Sequence, residues 1–582
     1  MSAPYTAPLG DILFMLRHVA GLDRFIADGL AEGLDADVVA AMLDSAGRFA
    51  EERLAPANQP ADREGARYAD GSVTTPAGFA GIYRDWAADG WNGISAPVTY
   101  GGSGLPLLLN TAAMETTTSA CMAFSLGPVL THGAIDLLAA HASEGLKKTY
   151  LPRLVSGAWT ATMNLTEPQA GSDLAQVRTR AVPRGDGSYR VTGSKIFITY
   201  GEHDLTDNII HMVLARTPGA PEGVKGISLF LVPKFLPDGR RNDLRCTGIE
   251  HKLGIHGSPT CAMSYGDNGG ATGWLIGAPH QGLACMFTMM NRARVATALQ
   301  GVAIAERAWQ QARAYAGERR QGRAPNAPAS ETSPIIAHPD VQMMLLKMRS
   351  LTCAARAVVY ATAEAVDRAE RGGDAAARAR ADLLTPIAKA FATDAGVEVA
   401  SLGIQVHGGM GFVEETGAAQ HLRDARIAPI YEGTNGIQAI DLVTRKLPRD
   451  GGAPVRALLA QFAAFVAQAR GDGGLFEVAA ALGSALDALR SATEFLLDPA
   501  LTSAEKLAGA TLYLRLFGLV AGACLILRGV MTARDEPEMQ SRMTALLAFL
   551  TEVLLAGAAG QARAVCSAAG TLRRALPSLE PV

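Results

Sequence analysis

Apolar residues recur at helical spacing from the start of the chain. Leu13, Leu16 and Val19, then Val38, Met42, Ala46 and Ala50, share one face at the 3.6-residue period, which predicts helix over 11–58. A Gly/Pro-rich stretch over 95–106 interrupts this as a loop. Helical spacing resumes at 107–125, 130–140 and 143–156, so 1–160 reads as an N-terminal helical domain. The texture changes at Trp159. Short runs rich in β-branched residues follow at 159–166, 177–183, 189–199, 209–216, 227–233, 244–250, 262–265 and 274–276, separated by Gly, Pro, Asp and Asn. Such spacing predicts a central antiparallel β domain, a sandwich or barrel, over 161–280.

The helical period returns at Gly282. A long helix over 286–319, a polar Pro-containing connection over 320–339 and helices at 340–371 and 375–406 make 281–450 a helical bundle. Asp450-Gly451-Gly452 marks a linker. Beyond it, Val455, Leu459, Phe462 and Val466 lie on one helical face, and runs at 475–496, 503–533 and 538–568 complete four helices of an additional C-terminal helical domain over 453–582. The fold class expected is α+β, with four successive parts.

Charge and cysteine usage narrow the function. The 582 residues carry 53 basic and 56 acidic side chains, a net charge of −3, which argues against general nucleic-acid binding. The seven cysteines form no C-x-x-C pair, so the expectation is reduced thiols in the cytoplasm with neither a metal site nor a disulfide framework. The opening residues lack the features of a secretory signal. The longest apolar run, 516–527, falls short of the roughly 20 residues a membrane-spanning helix needs, so no integral membrane segment is expected.

Standard dinucleotide, P-loop, zinc-protease and serine-hydrolase signatures are absent. Four other segments carry chemistry. Asn164-Leu165-Thr166-Glu167-Pro168-Gln169-Ala170-Gly171-Ser172-Asp173 offers hydroxyls and turn amides that could hold an anion, although such clusters are also common polar turns. Lys195-Ile196-Phe197-Ile198-Thr199 places an aromatic and a hydroxyl on one strand face. Gln405-Val406-His407-Gly408-Gly409-Met410-Gly411-Phe412 permits close backbone approach, or simply ends a helix. In Pro429-Ile430-Tyr431-Glu432-Gly433-Thr434-Asn435-Gly436-Ile437-Gln438, an apolar setting would raise the pKa of Glu432 and suit it to act as a base; a solvated loop carboxylate is the alternative.

In this order, over about 50–447, the four segments resemble the acyl-CoA dehydrogenase family. The resemblance implies a helical domain, a β domain and a helical bundle around FAD. It implies that Leu165, Thr166, Gly171 and Ser172 contact the flavin ring and pyrophosphate, and that Phe197 and Thr199 flank the flavin near N5. It also assigns Arg319, Gln405, Gly408 and Gly409 to FAD across a dimer interface, with Thr434 and Gln438 completing the site. Arg294, Tyr431 and Gly433 would contact acyl-CoA, and Glu432 would be the catalytic base. In some branches the base lies one residue before the helix arginine; that position is Ala293 here, which leaves Glu432. The activity implied is oxidation of a saturated acyl-CoA to the trans-2-enoyl-CoA, with electrons passed to an external acceptor such as an electron-transfer flavoprotein.

Phe197 stands where several relatives have Trp, and Asn291 where an acidic residue is common. The long 320–339 connection and the added 453–582 segment look most like the long bacterial branch, which includes 3-methylmercaptopropionyl-CoA dehydrogenases and broad-range fatty acyl-CoA dehydrogenases. An acyl-CoA oxidase is an alternative. A DNA-binding relative of the family is disfavoured, because residues 451–582 hold 11 basic and 11 acidic side chains and so no net charge. The same segment could serve membrane docking or dimer contacts; bundle packing is the simpler expectation.

Overall fold

The computed structural model describes residues 4–325, 327–328 and 331–579. The chain divides into two compact units. One comprises Arg48–Pro106 and Ala120–Ala296, the other Met1–Gly47, Leu107–Ser119 and Thr297–Val582. The units therefore interleave along the sequence, whereas the pattern-based parts follow one another.

The first unit contains the strands β1 (Arg67–Ala69), β2 (Ser72–Thr74), β3 (Trp159–Asn164), β4 (Arg180–Pro183), β5 (Tyr189–Thr199), β6 (Asn208–Arg216), β7 (Ile227–Pro233), β8 (Leu244–Ile249), β9 (Thr260–Tyr265) and β10 (Ala271–Ile276). Each of the eight runs expected after Trp159 contains a strand. The β1–β2 hairpin is an addition to the expected helical region. Its turn is Asp70-Gly71, both at positive φ, a pair suited to a two-residue hairpin turn.

The main sheet runs β10-β7-β6-β4-β5-β9-β8, and β10 also pairs with β5, which closes β5, β4, β6, β7 and β10 into a ring. The expected antiparallel pattern needs correction at two pairs. β3 lies parallel to β6 from Trp159↔Asn208 to Asn164↔Val213, and β4 meets β6 in parallel at Arg180↔Arg216. The β4–β5 excursion between β3 and β6 supplies the long connection that a parallel pair requires. β7 is buried along its whole length, and β6 along all but its last residue. Ile210, Met212 and Leu214 face a core shared with the Met122–His141 and Glu144–Val155 helices, while Val213 and Ala215 join Phe230 and Val232 in a second core. With both faces covered, hydrophobic alternation disappears.

The second unit is helical. Its long elements are the C-terminal part of Gly282–Glu318, then Pro339–Arg371, Ala375–His407, Ala453–Arg470, Phe476–Leu497 and Ala510–Thr532. Two very close approaches set the packing. A Cβ at Gly301 would lie 2.2 Å from the Ala392 carbonyl oxygen, and one at Gly522 would lie 2.8 Å from that of Ala354. The Ala510–Thr532 helix thus lies directly on the bundle.

That helix corrects the expectation drawn from its apolar run. It extends over 23 residues, because Arg515 and Arg528 lie inside it. Met122–His141 and Ala510–Thr532 are both long and apolar enough to cross a membrane, yet 83% of the most apolar window of each is buried inside the fold. The expected helix over 538–568 is also broken. Pro537–Phe549 runs into a wider turn, Leu550–Leu554, and the next helix, Ala558–Ala575, departs at 48° after Gly557. Gly509 splits 503–533 where a Cβ would sit 2.7 Å from the Val565 carbonyl oxygen.

A buried charge cluster ties the helical unit together. Arg356, fully buried, donates from Nε to Glu115 Oε1 and from Nη2 to Glu306 Oε2, both at 2.7 Å. Its Nη1 lies 3.3 Å from Asp11 Oδ2. Arg349 donates to Glu306 at 2.7 Å and also to Asp11, and Arg542 donates to Asp11 as well. The Tyr360 hydroxyl donates to Glu115 at 2.9 Å. Burial opposes ionisation of Glu306, yet Arg349 and Arg356 hold its carboxyl at about 2. Arg356→Met should therefore cost about 3 kcal/mol or more, because buried carboxylates lose their partner. Arg542→Gln, at a half-exposed side chain, should cost less than about 1 kcal/mol. Denaturant titration of the two variants checks this; equal losses would contradict it.

Candidate active site

In the strand-containing unit, the turn after β3 is bolted to β5 by one buried ion pair. Lys195 Nζ donates to Glu167 Oε1 and to the Leu165 carbonyl, both at 2.9 Å. Glu167 also accepts from the Arg178 amide at 2.7 Å, the Thr179 amide at 3.0 Å and the Thr179 hydroxyl at 2.6 Å. The Ile196 amide donates to the Thr166 carbonyl at 3.0 Å. Leu165 and Thr166 are thereby fixed beside β5, while Gly171 and Ser172 lie exposed farther along the same turn. Burial opposes charge on both partners. Lys195 and the surrounding donors nevertheless hold the Glu167 carboxyl at about 2, and desolvation lowers Lys195 to about 8 despite its carboxylate. Both remain charged at neutral pH.

β5 contains the second feature. Its register against β9 shifts between Lys195 and Ile198. Without the bulge, Val191, Lys195 and Phe197 would face the same buried side. The extra residue reverses the parity, so Ile198 is buried and Phe197 is 58% exposed. Phe197 also has φ +59, a left-handed conformation uncommon for a bulky residue. Thr199, half-buried, shares the exposed side with Phe197, and its carbonyl accepts from Thr162 Oγ1 at 2.7 Å. Leu165, Thr166, Phe197 and Thr199 thus form one local group. Arg294, in the same unit, is buried on the Gly282–Glu318 helix, with its guanidinium 5.8 Å from the Phe287 ring centroid and 3.4 Å from Asn291 Oδ1.

In the helical unit, Tyr431, Glu432, Gly433, Thr434 and Gln438 occupy one loop and the helix it enters. Glu432 and Gly433 have φ +57 and +82. Two side chains hold this turn. Lys389 Nζ donates to the Gly433 carbonyl at 2.8 Å, and Gln438 Nε2 donates to the carbonyls of Glu432 and Gly433 at 3.2 and 3.3 Å. A Cβ at Gly433 would sit 2.8 Å from Gln438 Nε2, so glycine is required for close approach. Thr434 caps the Asn435–Asp441 helix by accepting from the Ile437 amide. Asn435 is bound to Lys389, Thr393, Asp394 and the Ala390 carbonyl. The Tyr431 hydroxyl donates to Gln300, and burial together with neighbouring Glu432 raises its pKa. Glu432 itself is half-buried.

The remaining expected residues gather at another end of this unit. His407 stacks on Tyr315 with ring centroids 4.5 Å apart, joining the end of Ala375–His407 to the end of Gly282–Glu318. Arg319, Gln405, Gly408 and Gly409 are all exposed there, beside Met410 and Phe412, the latter 87% exposed.

Sequence reasoning missed the supports: Lys195–Glu167, Lys389, Asn435 and Gln300. The available signal was a lysine inside each of two otherwise apolar segments. One supporting atom also favours a ligand. Gln438 is buried, and its Oε1 accepts no hydrogen bond among the described residues, so it presents an acceptor suited to a ligand donor.

Because the Glu167 carboxyl lies below its ordinary 4.5, its stabilising contribution is complete above that value and lost as pH falls toward 2. Glu167→Gln should cost about 3 kcal/mol at neutral pH by leaving Lys195 buried without its partner. It should also flatten the acid limb between those two pH values. Denaturant titrations of parent and variant across the acid range check both effects.

The chain matches the family models of the acyl-CoA dehydrogenase N-terminal domain over 38–158, middle domain over 162–267 and C-terminal domain over 280–447, and an acetyl-CoA dehydrogenase C-terminal-like domain over 458–575. It is 50% identical over 476 residues to a 3-methylmercaptopropionyl-CoA dehydrogenase of Ruegeria pomeroyi, with 80% of each chain covered. It is 34% identical over 503 residues to a broad-specificity linear acyl-CoA dehydrogenase of Mycobacterium tuberculosis, covering 83% of this chain and 82% of that one. Its fold resembles that of a Bacillus anthracis acyl-CoA dehydrogenase complexed with FAD, with a TM-score of 0.74, 22% identity and coverage of 95% and 93%. Half the residues shared with one relative across four-fifths of both chains, together with successive matches to the family's domains, place this protein in the acyl-CoA dehydrogenase family.

Proposed function

We propose that the protein is an FAD-dependent acyl-CoA dehydrogenase with Glu432 as its base. The carrying observation is the left-handed turn at Glu432, held by Lys389 and Gln438. Sparsely populated backbone conformations persist where surrounding contacts over-determine them, commonly at active sites. In the helical unit, the buried acceptor Gln438 Oε1 suits a cofactor's donor group; in the strand-containing unit, the exposed Phe197 suits a planar ring. Leu165, Thr166, Gly171, Ser172, Phe197, Thr199, Thr434 and Gln438 would hold FAD. Arg319, Gln405, Gly408 and Gly409 would serve its distal half across a homodimer, for which exposed Phe412 and Met410 offer apolar contact.

When bound, FAD supplies the two-electron oxidant for the substrate's β-hydrogen. Glu432 takes the α-proton onto its carboxylate, leaving the α,β double bond of the enoyl thioester. The Glu432 amide, presented by the fixed turn, would donate to the thioester oxygen as negative charge develops there. Arg294, Tyr431 and Gly433 would orient the acyl-CoA. Likeness to the Ruegeria relative favours 3-methylmercaptopropionyl-CoA as substrate, with linear acyl-CoA thioesters of fatty acid β-oxidation as the broader class. The acceptor would be an electron-transfer flavoprotein and the setting cytoplasmic.

Glu432→Gln should retain FAD and lower the rate of anaerobic flavin bleaching by acyl-CoA about 10³-fold or more. A stopped-flow comparison over short, long and methylthio acyl-CoAs checks this. Flavin-loaded parent enzyme inert to all of them would overturn the reading, and stoichiometric hydrogen peroxide would make it an oxidase.

A further inference from the structure

Within the helical unit, a cavity of about 230 Å³ opens where three stretches of chain converge. The turn Val19–Gly21 with Arg24 forms one wall, and the adjoining ends of the Pro339–Arg371 and Ala375–His407 helices form another. Leu458, Phe462, Leu525 and Arg528 close it from the C-terminal segment. Four arginines line the cavity, Arg24, Arg368, Arg380 and Arg528, against two carboxylates, Glu364 and Asp374.

Both carboxylates are already engaged. Glu364 accepts from Arg368 and, at 3.1 Å, from Arg380. Asp374 caps the Ala375–His407 helix through the amides of Ala376 and Ala377 at 2.8 and 3.0 Å. Arg368 has a second partner in Asp28 at 2.7 Å, and Arg24 lies 3.8 Å from the same carboxylate. Arg528 alone among the four has neither a side-chain hydrogen bond nor an ion pair among the described residues, although it is half-buried. Its Nη2 lies 3.2 Å from where a Cβ on Gly21 would be, so glycine makes room for the guanidinium. Burial and the charges of Arg380, Arg368 and Arg24 disfavour its protonated form, with Glu364 the opposing influence.

Four arginines face three carboxylates, Glu364, Asp374 and Asp28, and the one planar donor fork among them without a protein partner among the described residues borders a partly open polar cavity, which calls for an anion. We propose that this cavity is a binding site for a phosphoryl dianion, recognised by Arg528 and its neighbouring arginines. Leu384, Leu458 and Phe462 give the same cavity an apolar side, so the phosphoryl group can be free phosphate or the head of a small phosphomonoester. Such an anion clamps the N-terminal turn, the bundle and the C-terminal segment at once. The site exists only because the C-terminal segment supplies Arg528, which gives that segment a role apart from chemistry.

The test uses full-length, FAD-loaded protein. Calorimetric titration with inorganic phosphate and with butyl phosphate, at ionic strength matched with chloride, should give saturable binding and a raised Tm. Arg528→Gln should weaken binding at least tenfold, while FAD content and acyl-CoA turnover without phosphate stay unchanged. Without phosphate, the Tm of this variant should equal or exceed the parent's, because an unpaired charge has been removed. Arg528→Lys should bind with intermediate affinity, which separates loss of charge from misfolding. Tighter binding of butyl phosphate identifies a monoester as the source, and equal or weaker binding identifies free phosphate; both support the site. Absence of saturable binding, or parental affinity in Arg528→Gln, would overturn it.

Discussion

The helical unit depends on one fully buried guanidinium. Arg356 reaches Glu306, 50 positions away along the chain, and Glu115 and Asp11, 241 and 345 positions away. Taking so many charges out of water is costly, and the cost is offset only when every charge finds its partner. That condition makes the cluster a register device. The N-terminal segment, the Leu107–Ala120 helix, the long Gly282–Glu318 helix and the Pro339–Arg371 helix can dock in one arrangement if no carboxylate is to be stranded. Leu107 and Leu108 reinforce this, their amides donating to Asp367 at 2.9 and 2.7 Å. Apolar packing alone would tolerate a shift of one helical turn; the cluster does not.

Unfavourable backbone occurs at one candidate residue in each unit. Phe197 and Glu432 are both non-glycine residues at positive φ, each held by its own surroundings. For Phe197 the enforcement is the β5 bulge beside the Lys195–Glu167 pair. For Glu432 it is Lys389 and Gln438 on the carbonyls of the turn. In each case a buried lysine lies close by, Lys195 holding the Leu165 carbonyl of the facing turn and Lys389 holding the Gly433 carbonyl beside Glu432. Rigidity is bought beneath the surface so that a strained side chain stays where chemistry needs it.

Much of this was legible in sequence, and the limits have physical reasons. Strand boundaries such as Tyr189–Thr199 and Ile227–Pro233 were readable because β-branched runs end at Gly, Pro or Asp. The bulge within β5 was not, because a period-two pattern carries no mark of one extra residue. The residues around Glu432 were readable because their order is distinctive. Lys389 was not, because a lone lysine in a helical pattern reads as a solvent-facing side chain until the fold turns it inward. Asp11, Glu115 and Arg356 were invisible as a group for the same reason: their relation exists only in space. The apolar stretch 516–527 is bounded by arginines in the sequence, whereas the helix continues through both, Arg515 exposed and paired with Glu398, and Arg528 half-buried beside the cavity.

The burial of Ala510–Thr532 has a consequence for how the chain is made. Gly518 and Gly522 of this helix lie against Phe391 and Ala354 of the bundle, so the bundle's apolar face is completed by residues synthesised long after it. A nascent chain emerging from the ribosome through residue 450 presents that face uncovered, while a highly apolar helix is still to come. Exposed surfaces of this kind aggregate or recruit chaperones. The C-terminal segment is therefore an internal cap for the bundle, and its late arrival sets the interval during which the growing polypeptide is most vulnerable.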